Sequence, residues 1–80
     1  SLINTVVVCS LTSSLARAGS PGNVLLKKGE ANLTKKSVVN VSQLYTVNKS
    51  DLTEKIGSVS PKTMDQVIEG IQLLIEKRSL

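Results

Sequence analysis

Apolar positions crowd the stretch Asn4 to Ser13, NTVVVCSLTS, where Val6, Val7, Val8, Cys9 and Leu11 run almost unbroken up to the hydroxyl pair Thr12-Ser13. A continuous apolar run bounded by turn residues fits a strand covered on both faces, although periodicity alone also allows a buried helix. Three successive valines favour the strand, because β-branched side chains fit a pleat and lose rotamer freedom in a helix. Such a strand, ending in Thr12-Ser13 at the mouth of a loop, presents two hydroxyls on a rigid platform. Functional groups tend to sit on loops held in this way.

After it, residues 13–22 (SSLARAGSPG) read as a loop with Arg17 at its centre. Residues 23–28 (NVLLKK) predict a short strand with Val24 and Leu26 on one side and Leu25 on the other. Residues 29–36 are polar, with Leu33 as a tether into the core. Two further strands are predicted at 37–41 and 44–48, with the amide of Gln43 between them. Residues 50–53 predict a capped turn, and 54–59 a last short strand weakened by Gly57. Ser60-Pro61 marks a helix start, Ser as cap and Pro at the first position where its missing N–H costs nothing. The helix is predicted over 61–77. Met64, Val67, Ile68, Ile71, Leu74 and Ile75 form its apolar stripe, Gly70 allows close packing, and Lys77 and Arg78 complement its dipole. Four or five strands followed by one helix predict an α+β, mainly β domain with a bent, mostly antiparallel sheet.

Composition sharpens this picture. Eighty residues predict a single domain, 1–80. With no Trp, no Phe and one Tyr, the core must be built from Val, Leu and Ile. Such a small aliphatic core, and a first residue that is Ser rather than Met, predict an incomplete unit that leans on an upstream segment or an obligate partner. The single Cys9 reads as a small buried hydrophobe. With no His, catalysis by a Ser-His or Cys-His pair is excluded, and no metal or other cofactor is expected. No signal peptide is evident, and no apolar run approaches the roughly 20 residues a membrane span needs.

The net charge of +4 is unevenly spread. Residues 13–49 carry Arg17, Lys27, Lys28, Lys35, Lys36 and Lys49 against Glu30 alone, whereas residues 50–80 are nearly balanced. A basic middle fits a polyanion partner such as nucleic acid, with a solubilising face as the plain alternative.

The ordered words NTVVVCSLTS (4–13), PGNVLL (21–26), SVVNVSQLYTVNKSDL (37–52) and EKIGSVSPKTMDQV (54–67) together resemble the MazF/PemK (Kid-like) family of toxin endoribonucleases, the mRNA interferases. The resemblance implies an SH3-like small barrel with a C-terminal helix. It implies a growth-inhibiting toxin of a toxin–antitoxin system, cutting single-stranded RNA in the bacterial cytoplasm without metal and leaving a 2′,3′-cyclic phosphate. The implied partners are RNA, a second copy in a homodimer, a cognate MazE-like antitoxin, and operator DNA only through the antitoxin complex. Thr12 matches the family's catalytic Thr and Ser13 the polar residue beside it. Arg17, Lys27, Lys28, Asn40, Ser42 and Gln43 are the implied RNA contacts.

The departures carry weight too. The family's first two strands, with an R-P-V/I-L-like word and the catalytic Arg, would precede Ser1. Asn40 and Ser42 stand where relatives place an Arg and an acidic residue, and Tyr45 and Asn48 replace the Arg and Asp of the Q-I-R-T-I-D word. The chain by itself is therefore expected to cut poorly, as most of the fold of a longer nuclease. Two other readings share the fold: an inactive remnant, and a binding-only toxin like the CcdB-type gyrase inhibitors, whose Trp-Gly-Ile ending IEKRSL does not match.

Overall fold

The computed structural model describes residues 3–78, with side chains through residue 76. Three strands, β1 (Thr5–Thr12), β2 (Val24–Leu26) and β3 (Ser37–Asn48), precede one helix, α1 (Pro61–Arg78). Short 3-10 turns occupy Leu15–Gly19, Glu30–Asn32 and Lys49–Asp51. The strand order is β1-β3-β2, and β3 is antiparallel to both neighbours. Among the described residues the sheet is open, with β1 and β2 as its edges. This is the α+β, mainly antiparallel class that the pattern predicts.

The predicted strands at 37–41 and 44–48 are one strand of 12 residues that shifts register in its middle. The strand predicted at 54–59 does not join the sheet. Its main chain is held from the side instead, by Asn32 Nδ2 donating to the Ile56 carbonyl at 2.9 Å. Gly57 lies so close to the Ala31 carbonyl that no side chain would fit between them. The turn predicted at 50–53 begins one residue earlier, at Lys49, and has no side-chain cap.

The core is aliphatic, as composition requires. Val24, Leu26, Val39, Val41 and Val67 are buried together, with Cys9, Leu33, Val59, Ile71 and Leu74 packed around them. Leu33 is the tether expected of it. The strand covered on both faces is not β1, however, but the first half of β3, where residues 37–41 are all buried. In β1, Val7 and Leu11 remain 61% and 51% exposed. The reason is topological: β3 is central, and α1 packs over β2 and β3.

Ser60 caps α1 as predicted, accepting from the Thr63 N–H at 3.1 Å. The apolar stripe is rotated from expectation. Thr63, Val67 and Gly70 are buried, with Ile71 and Leu74 half-buried beside them, while Met64, Ile68 and Ile75 are exposed. Contact between the main chains of Gly70 and Gly22 sets this roll, because two residues without side chains permit the closest approach. The side chains at 77 and 78, expected to complement the helix dipole, lie outside the described ones. No helix among the described residues is long and apolar enough to cross a membrane.

Candidate functional site

The register shift in β3 builds one half of the site. Cys9 pairs with Leu44, but the next residue, Ser10, pairs with Asn40. Val41, Ser42 and Gln43 therefore have no partner on β1. A bulge of this kind bends a strand and re-aims its side chains. Val41 turns into the core, and Ser42 and Gln43 are exposed. Asn40 is only 4% exposed, and its Oδ1 accepts from Ser42 Oγ at 2.8 Å. Asn40 thus orients Ser42 from beneath.

Thr12 forms the other half, half-buried at the end of β1 opposite Val38. Its Oγ1 accepts from the Ser14 N–H at 3.1 Å. That bond fixes the oxygen and leaves the hydroxyl proton free to donate outward. Ser13 beside it is exposed. A hydrogen-bonded relay then joins Thr12 to the bulge. The Arg17 N–H donates to the Ser14 carbonyl at 3.2 Å. Asn23 Nδ2 donates to the Arg17 carbonyl at 2.9 Å, and Asn23 Oδ1 accepts from the Val41 N–H at 3.0 Å. The Arg17 side chain stays exposed on its 3-10 turn.

Lys27 and Lys28 extend from the end of β2, at the same end of the sheet as Thr12, because Thr12 and Leu25 flank Val38 from opposite sides. The expected site residues thus fall into two groups. Thr12 and Ser13 share the sheet end with Lys27 and Lys28. Asn40, Ser42 and Gln43 sit at the bulge, with the main chain of Arg17 tied to it.

Sequence reading missed Asn23. There it is only the first residue of the strand predicted at 23–28, with no role for its amide. Replacing Asn23 with alanine removes two hydrogen bonds and strands the Val41 N–H, a loss of about 2 kcal/mol. Urea denaturation should show a lowered midpoint, with Asn23→Asp, which keeps the acceptor, falling between the two. An unchanged midpoint for Asn23→Ala would exclude the clamp.

Cys9 takes no part in this chemistry. It packs against the core, and burial pushes its thiol pKa above the usual value, so the neutral thiol is favoured at physiological pH. No group of three or more metal-ligating side chains occurs among the described residues.

Comparison with known proteins identifies the family of the chain. The profile of the PemK-like, MazF-like toxin of type II toxin–antitoxin systems matches residues 1–75. The chain is 38% identical over 76 residues to Endoribonuclease MazF6 of Mycobacterium tuberculosis (strain ATCC 25618 / H37Rv), covering 95% of this chain and 67% of that protein. It is 33% identical over 69 residues to Endoribonuclease MazF of Staphylococcus saprophyticus, covering 86% of this chain and 58% of the relative. To Endoribonuclease EndoA of Bacillus subtilis it is 29% identical over 69 residues, covering 60% of that protein. The chain spans about two thirds of the first relative's length and about three fifths of the other two. With a profile match over nearly its whole length, the chain belongs to the PemK-like, MazF-like toxins of type II toxin–antitoxin systems.

Proposed function

We propose that this protein is an endoribonuclease of single-stranded RNA in which the substrate's own 2′-hydroxyl attacks the adjacent phosphate. The products are a 2′,3′-cyclic phosphate and a free 5′-hydroxyl, formed without metal. The observation that carries this reading is Thr12, a hydroxyl on a strand end whose oxygen is pinned by the Ser14 N–H. Its proton is placed to donate to a non-bridging oxygen as charge builds there, the kind of preorganised donor that lowers a barrier. Ser13 stands beside it, and Ser42 and Gln43 contact bases or sugar at the bulge. Arg17, Lys27 and Lys28 hold backbone charge.

Exposed Met64, Ile68 and Ile75 on α1, with Leu44 and Tyr45 on β3, supply apolar surface for a second copy and for an antitoxin segment. Operator DNA would be met only through the toxin–antitoxin complex, and the pair would act in the bacterial cytoplasm.

The test is substrate chemistry in EDTA with the full-length protein. A mostly deoxy oligonucleotide carrying one ribonucleotide should be cut at that sugar alone, giving a 3′ fragment-end one water lighter than the linear phosphate. Cutting of an all-deoxy strand, or dependence on a divalent cation, would refute the reading.

A further inference from the structure

The loop joining β2 to β3, residues 27–36, holds four lysines and one glutamate. Lys27-Lys28 follow directly on Leu26, and Lys35-Lys36 lead directly into Ser37, the last register pair of this hairpin. Two lysine pairs therefore stand opposite one another at the mouth of the loop. All four are exposed, and no ion pair engages them among the described residues. Like charges facing each other across a strand pair are destabilising.

The loop's own acid is turned away. Glu30 Oε2 accepts from the hydroxyl of Thr63, a buried residue in the first turn of α1. The loop is also held in shape. The Gly29 N–H donates to the Leu33 carbonyl at 2.8 Å, and Asn32 Nδ2 reaches the Ile56 carbonyl at 2.9 Å. Ala31 and Asn32 sit at φ 51 and 61, the left-handed region that costs a non-glycine residue energy. The chain thus keeps strain and unneutralised charge together in one pinned loop.

We propose that this lysine mouth, with Lys35 and Lys36 as its unassigned half, docks phosphates of the RNA strand next to the one cleaved at Thr12; this rests on the nuclease reading above. Thr12 and the β2 end lie two strand spacings apart across β3, roughly 10 Å. A single strand crossing that end of the sheet reaches both. Exposed side chains of the loop are polar, and Leu33 is turned inward against the core. A protein partner would need a buried apolar anchor, and the exposed apolar side chain beside the mouth, Leu25, lies on β2 outside the loop, whereas phosphate binding needs only charge.

The experiment is a salt titration of binding between the full-length protein and an uncleavable 2′-O-methyl oligoribonucleotide. Lys35→Ala/Lys36→Ala should make the slope of log K against log salt shallower by about 1.4, since each single-strand phosphate contact contributes roughly 0.7. Thr63→Val removes no positive charge, yet it should weaken binding severalfold by freeing Glu30 to neutralise the lysines. Adding Glu30→Gln should restore the affinity, a rescue that a merely structural role for Thr63 would not give. An unchanged slope in the folded lysine variant, with RNA still cut, overturns this proposal and leaves the nuclease reading standing. Loss of binding to an acidic peptide but not to RNA also overturns it, making the surface a protein interface. No RNA bound by the parent at any salt overturns both.

Discussion

Replacing Thr12 with alanine is expected to slow single-turnover cleavage of RNA by about 10²–10³, the usual cost of deleting one preorganised donor to a developing charge. Substrate binding should change little, because the phosphate is held mainly by the cationic groups around it. Stability should also change little. The Thr12 Oγ1 bond to the Ser14 N–H lies at an exposed turn, where a hydrogen bond is worth about 0.5–1.5 kcal/mol. Thr12→Ser keeps the hydroxyl and the turn, so it should retain most of the rate. Thr12→Val keeps the shape alone, so it should match alanine. If valine cuts as well as threonine, the hydroxyl has no chemical role and Thr12 is only a strand terminus.

The second large effect is structural and runs against helix propensity. In an ordinary exposed helix, Gly→Ala stabilises by roughly 0.5–1 kcal/mol. At Gly70 the sign should reverse. A methyl there would strike the Gly22 carbonyl, a main-chain atom that cannot swing aside. Gly22 cannot yield easily, because it holds φ 81 and a methyl on it would lie 2.8 Å from the Gly70 carbonyl oxygen and 3.1 Å from Val41 Cγ2. The helix would have to lift, loosening Val67, Ile71 and Leu74 from the core. Overpacking of this kind costs about 1–3 kcal/mol. For a domain of this size that is a fall of roughly 5–20 °C in Tm, to be read by circular dichroism. A raised Tm for Gly70→Ala would show that the contact is not tight in solution.

Local signals carried much of the architecture. The helix start at Ser60-Pro61, the β2 faces and the Leu33 tether follow from capping chemistry and period-2 alternation, which act within a few residues. Three features were not legible. The register shift at Ser10 depends on pairing between β1 and β3, far apart in sequence. The failure of 54–59 to join the sheet depends on Asn32 and Ala31, which lie over 20 residues upstream. The roll of α1 depends on which glycine meets which. The site divides in the same way: Thr12 and the lysine pairs could be named from the sequence, but the link through Asn23 exists only once the loop, β2 and β3 meet.

The bent strand β3 has one more consequence. Its root, residues 37–41, is clamped within the core, while residues 42–48 reach outward as a largely exposed arm beside β1. Such a strand is a lever with its fulcrum at the bulge. A load placed on the arm at Leu44 or Tyr45 turns about the segment that carries Ser42 and Gln43. Grip far from Thr12 would thereby bear on the bulge that holds Asn40, Ser42 and Gln43.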